Sequence, residues 1–141
     1  MSDRNWFEFF QLPCSLDLSL QDLEKQYFQM QKKAHPDQYQ GSLQKGAQEL
    51  SQIVNKGYQI LKDPLKRIEH VLELRGWWPL EQDPELLPQV FLWHQQGLSL
   101  KEKEQLIDKA QELVRQGLQN GLKDQAAKGY FRLLYLQRVP S

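Results

Sequence analysis

Three consecutive residues, His35, Pro36 and Asp37, are the ones whose types and spacing could do chemistry. The imidazole supplies a switchable donor and acceptor, the carboxylate a fixed acceptor, and the proline between them sets the backbone. Pro36 brings no N–H and pushes His35 out of the helical region, so a helix arriving from upstream ends here and both polar groups sit on a loop. Lys25, Gln29, Lys32 and Lys33 precede the tripeptide at spacings that place them on one side of that helix, as a positive stripe facing solvent. Other chemistry is thin. His35, His70 and His94 are far apart with no metal-ligand spacing, and the carboxylates form no pair set as acid and base. No Gly-rich phosphate loop, Gly-x-Ser-x-Gly or His-Glu-x-x-His occurs. The chain therefore reads as a binding protein, not an enzyme, with no metal and no other cofactor. Alone, His-Pro-Asp is also an ordinary helix stop and turn, and a lysine run is usually a solvated face.

The elements around the tripeptide give it context. Ser19 is an N-cap, with Asp22 in the first turn where the helix dipole favours an acid. Leu20, Leu23, Tyr27, Met30 and Ala34 then recur at steps of three and four, which predicts one apolar face. After a polar loop, Gln38 to Ser42 with Gly41, a second face runs through Ala47, Leu50, Val54, Tyr58 and Leu61. The two faces pair as antiparallel helices, each marginal alone. Asp63-Pro64 ends the second and starts another, carrying Leu65, Ile68, Val71 and Leu72 towards a stop at Gly76. His70 reads as a partly buried or capping residue on that helix. Ahead of all these, Trp6, Phe7, Phe9, Phe10 and Leu12 are too apolar to stay exposed, which predicts a short helix docked on the pair.

Composition bounds the rest. At 141 residues the chain makes one medium domain or two small ones, and 40% hydrophobic with 26% charged residues favours a packed core over disorder. Formal net charge is zero, which argues against a general nucleic-acid binder. The arginines that a helix-turn-helix would concentrate, Arg115, Arg132 and Arg138, are spread over two helices. Cys14 is the single cysteine, so no internal disulfide or cysteine metal cluster forms. No apolar run is long enough to span a membrane, and Met1 to Asn5 lacks a signal-peptide core, which predicts a cytoplasmic protein. Character changes at Trp77-Trp78-Pro79, giving a first domain over 1–75, a seam over 76–83 and a second domain over 84–141. Three helical patterns fill the latter: Leu86 or Leu87, Val90, Phe91 and Trp93 leading to Gly97; Leu106, Ala110, Leu113 and Val114 behind a Ser99-x-x-Glu102 capping box; and Ala127, Tyr130, Phe131 and Leu134. Gly117, Asn120 and Gly121 read as turn signals. The fold class is all-α.

Helix, exposed His-Pro-Asp, helix resembles the J domain, a module that activates DnaK-type chaperone ATPases. Ile53-x-Asn55-x-x-Tyr58-x-x-Leu61-x-Asp63-Pro64-x-x-Arg67 resembles the helix and Asp-Pro that follow in J domains. Asn5 to Pro13 and Leu65 to Gly76 resemble the entry and exit of HscB-type J proteins, and Phe91-Leu92-Trp93-His94-Gln95 and Phe131-Arg132-Leu133-Leu134 resemble that family's C-terminal domain. The resemblance covers residues 3–76 and, with departures at Gly97 and Ser99, 83–138. It implies a J domain, built as an antiparallel helix pair with flanking short helices, followed by a C-terminal three-helix bundle. The implied function is a monomeric co-chaperone that stimulates a DnaK/HscA-type ATPase and delivers the iron–sulfur scaffold IscU to it. His35, Pro36, Asp37, Lys25, Lys32, Lys33 and Gln29 would contact the ATPase, with Gln38 replacing the family's usual lysine. Leu92, Trp93, Gln96 and Leu133 would contact the client, although burial in the bundle core is an equal reading for Trp93. A J-domain adaptor for another client, or a helical module that never meets a chaperone, are the alternatives.

Overall fold

Side chains of Asn5, Ser19, Asp63 and Ser99 cap the starts of four helices in this chain. The computed structural model describes residues 4–140; residues 1–3, part of the stretch searched for a leader, and residue 141 lie outside them. Among the described residues there are seven α-helices and no strand, the all-α fold expected. Helix α1 (Trp6–Phe9) is capped by Asn5, α2 (Leu20–Ala34) by the Ser19 hydroxyl, which accepts from the Asp22 N–H at 3.2 Å, and α4 (Pro64–Leu74) by Asp63. Between the last two lies α3 (Ser42–Lys62). Then come α5 (Leu87–Gln96), α6 (Leu100–Asn120) behind a complete Ser99–Glu102 capping box, and α7 (Lys123–Arg138). The chain divides into two compact units between Gly76 and Trp77.

In the first unit α2 and α3 run antiparallel. Tyr27 stacks on Tyr58 with centroids 4.0 Å apart, and one turn on, Gln31 and Ser51 exchange two hydrogen bonds. Leu23, Ala34, Ala47, Val54, Tyr58 and Leu61 are buried as the periodicity predicts. Leu20 and Leu50 are not. Leu20 opens α2, where it has helix on one side only, and Leu50 lines an open groove with Met30 and Lys33. The aromatic opening does dock, with Trp6, Phe7 and Phe10 buried. Trp6 lies so close to α3 that a Cβ at Gly57 would overlap its ring. No larger residue fits at position 57 unless α1 moves.

The second unit is organised by α6 and α7, antiparallel and joined at Gly121, whose φ of 70° suits glycine. Gly117, which reads as a turn signal, instead lies inside α6. A Cβ there would meet the Ala126 backbone at 2.6 Å, and one at Gly129 would meet Val114 at 2.7 Å. These glycines let the two helices approach closely. Ala110, Val114, Ala126, Tyr130, Leu133 and Leu136 fill the seam, and Trp78 packs edge-on against Tyr130.

Two buried polar side chains in the first unit act at helix ends. The first-turn N–H groups of a helix have no partner within it. His70 supplies one from α4, its Nε2 accepting from the Trp6 N–H at 3.0 Å while its ring stacks on Phe7. His70 is therefore buried, one of the two roles the sequence allows, and the helix end it caps is that of α1. Arg67 works at the opposite kind of end. Its guanidinium donates to the Leu61 carbonyl at 2.7 Å and the Lys62 carbonyl at 3.3 Å, both in the last turn of α3, and to the Leu16 carbonyl at 2.9 Å in the loop before α2. Burial lowers its pKa, and Asp17 and Asp63 offset part of that, so the cation persists.

Burial also lowers the His70 pKa from its ordinary 6.5, because a charged imidazole there would be desolvated. The unfolded chain then binds the proton more readily than the folded one. Stability is full above the unfolded pKa and falls as pH drops below it, until the folded imidazole itself takes the proton. Thermal melts from about pH 7 to about pH 5 should therefore show a falling Tm. His70→Gln should be less stable at neutral pH and lose part of that slope; an unchanged slope would place the titration elsewhere.

Candidate functional site

Pro36 ends α2 at Ala34, and residues Pro36–Gln38 form a single 3-10 turn. His35 caps this turn: its Nδ1 lies 3.3 Å from the Asp37 N–H and accepts from it. That bond requires Nδ1 to be unprotonated, so the imidazole proton is assigned to Nε2, which can donate to an outside acceptor. The Asp37 carboxylate is 3.5 Å from the same Nδ1, a contact that becomes an ion pair only if His35 is protonated. Both side chains are more than half exposed. The arrangement offers a donor, a carboxylate and a rigid turn on one corner.

The sequence missed what braces this corner. The last carbonyls of a helix have no partner within it. Here the Gln38 amide donates to the Lys32 carbonyl and the Tyr39 hydroxyl to the Lys33 carbonyl, each at 2.7 Å. Gln38 reads from sequence as a missing charge, and in the structure it is a helix cap. The only signal was two side chains of the right reach just past a proline stop.

Lys25, Gln29, Lys32 and Lys33 are all exposed. Gln29 and Lys33 flank the α2–α3 groove, a hollow of about 280 Å³ that Phe9, Met30, Leu50 and Val54 also line. Lys25 and Lys32 lie on the outward row, and between them in that row is Phe28, 65% exposed. Periodicity gave no reason to single it out.

In the second unit the candidate client residues separate. Leu92 is 48% exposed, and Gln96 is exposed too. Trp93 and Leu133 are buried, at 7% and 8% exposure: Trp93 takes the core, one of its two equal readings, and Leu133 is corrected to a core residue. Trp93 points to α6 and α7, where it shares a hollow with Leu106, Leu113 and Leu136. The apolar surface that α5 offers instead is Leu87, Phe91 and Leu92, with Phe91 66% exposed. His94 is exposed. Among the described residues no three His, Cys, Asp or Glu side chains cluster as a metal site would, and no helix is long and apolar enough to cross a membrane.

Comparison with known proteins places this geometry. A model of the DnaJ domain family matches residues 6–70. The co-chaperone protein HscB homolog of Shewanella oneidensis is 32% identical over 140 residues, covering 94% of this chain and 75% of the relative. That of Pseudoalteromonas atlantica is 45% identical over 80 residues, 51% of this chain and 43% of the relative. That of Shewanella amazonensis likewise matches over 43% of its own length, at 37% identity. Among solved structures, chaperone HscB from Vibrio cholerae aligns with a TM-score of 0.77 over 96% of this chain and 92% of its own, at 24% identity. Human co-chaperone protein HscB aligns with a TM-score of 0.78 over 98% of this chain and 79% of its own, at 19% identity. These two similarities concern the fold.

The brace is open to test. A neutral hydrogen bond contributes about 1 kcal/mol, so Tyr39→Phe combined with Gln38→Ala should leave the global Tm close to wild type while residues 33–38 fray. Amide hydrogen exchange over that segment should accelerate several-fold. Unchanged exchange would show that these bonds do not hold the corner.

Proposed function

Because the chain belongs to the HscB family of co-chaperones and carries its DnaJ domain, we propose that it stimulates the ATPase of a DnaK/HscA-type chaperone. The observation that carries this reading is the braced, exposed His35-Pro36-Asp37 corner at the end of a lysine-bearing helix. Net charge is zero, so the positive field is local to α2 and suits an acidic patch on a partner, not a polyanion. Lys25, Lys32 and Lys33, with Gln29 beside them, would hold the chaperone in a weak, fast contact, because exposed charges are screened within about 10 Å at 0.1 M salt. His35 Nε2–H and the Asp37 carboxylate would then bond polar groups of the ATPase, with Pro36 fixing their relative position. Such bonds speed hydrolysis only if they favour the hydrolysis-competent state over the resting one.

The second unit supplies the other half of the reading. Leu87, Phe91 and Leu92 form an exposed apolar face on α5, and Gln96 continues it with a polar group. We assign this face to the client, an IscU-type iron–sulfur scaffold protein. Trp93 anchors the same helix in the core. Joining the client face and the chaperone corner in one chain raises the effective concentration of client at the chaperone.

Two measurements test these assignments. In single-turnover ATPase assays with a DnaK-type chaperone, the wild type should stimulate hydrolysis, and His35→Gln should lose nearly all of that stimulation with an unchanged Tm. Full stimulation by His35→Gln would overturn the role of the corner. In a binding assay with an IscU-type scaffold, Leu92→Ala and Phe91→Ala should each weaken capture about tenfold while the protein stays folded. Trp93→Ala should instead destabilise the second unit by about 3–5 kcal/mol. Undiminished capture by both surface variants would move the client elsewhere.

A further inference from the structure

Phe28 is the most exposed aromatic residue on the lysine-bearing helix, and its place is what gives the exposure meaning. It stands three residues after Lys25 and four before Lys32, so the three side chains are neighbours along one row of α2. Its ring is not loose. Tyr27 lies against it at 5.5 Å between centroids, and Tyr27 in turn stacks on Tyr58, whose ring is buried in the α2–α3 seam. The ring is thus supported from one side by a rigid stack, and the remainder faces water. Isolated apolar side chains on a surface are ordinary. An aromatic ring held in place, in one helix row with two lysines and on the same helix as the His35-Pro36-Asp37 corner, forms the middle of a two-part contact surface.

We propose that Phe28 is the apolar anchor of the chaperone-facing row, and that the row takes an apolar depression rimmed by carboxylates on the chaperone. This rests on the assignment of the corner to a DnaK-type chaperone and adds the residue that selects among such chaperones. Aromatic side chains desolvated at the centre of an interface, ringed by polar contacts, carry a disproportionate share of binding energy. The lysines fit the rim and lose their contribution in salt; the ring fits the depression and does not. A chaperone with carboxylates but no depression would leave Phe28 stranded in water and bind more weakly.

The test is a titration of the full-length protein against a DnaK-type chaperone, scored as half-saturating concentration and as plateau stimulation, at low and at high salt. Phe28→Ala should raise the half-saturating concentration about tenfold at either salt and leave the plateau and the Tm unchanged. Phe28→Leu should recover most of the loss. Lys25→Ala with Lys32→Ala should raise it chiefly at low salt. If His35→Gln fails to stimulate while Phe28→Ala titrates as wild type, the role of Phe28 falls and the corner stands. If His35→Gln stimulates fully, the assignment beneath it falls. A Phe28→Ala loss that disappears at high salt, or wild-type self-association that Phe28→Ala abolishes, would also overturn the anchor.

Discussion

A proline cannot sit inside a helix without costing a hydrogen bond and a clash with the preceding turn, and Pro36 imposes that limit on α2. The carbonyls of Lys32 and Lys33 are left without helical partners, and the chain answers within a few residues by turning Gln38 and Tyr39 back onto them. That answer fixes the direction in which His35 and Asp37 are held. The helix behind them is fixed as well, through the Gln31–Ser51 pair and the Tyr27–Tyr58 stack. A stop, a brace and a rigid lever therefore make one mechanical piece.

The parts of this piece that sequence reveals are those whose signals are local. Ser19, Asp63-Pro64 and the Ser99–Glu102 box declare helix starts by residues that lie next to the turns they cap. The apolar faces of α2 and α3 declare themselves by spacing. Spacing fails on α5 because Val90, Phe91, Leu92 and Trp93 are consecutive. Four apolar residues at about 100° each reach every side of a helix, so no face can be told from another. Trp93 takes the core and Phe91 the surface, and only the packed partner helices decide which.

Arg67, His70 and Gly57 escape a linear reading for a different reason. Each is explained by a partner far along the chain: Leu16 for Arg67, Trp6 for His70 and again Trp6 for Gly57. A charged residue and a glycine in helical segments look like surface or punctuation, and a titratable one like a partly buried or capping residue of its own helix, until the opening residues are folded back onto them. Gly117 and Gly129 repeat the point in the second unit, where a missing Cβ is the shape that the neighbouring helix needs.

The bond from the Trp6 N–H to His70 ties the first described helix to the fourth across 64 residues of chain, and Arg67 adds a second tie back to Leu16. The consequence is a minimum size. A fragment trimmed at the end of α3 would keep both long helices, their corner and the lysine row. It would lose the group that seats α1 and uncover the aromatic rings α1 buries. The short α4, which carries no candidate binding residue, is thus part of the smallest piece that keeps α1 seated.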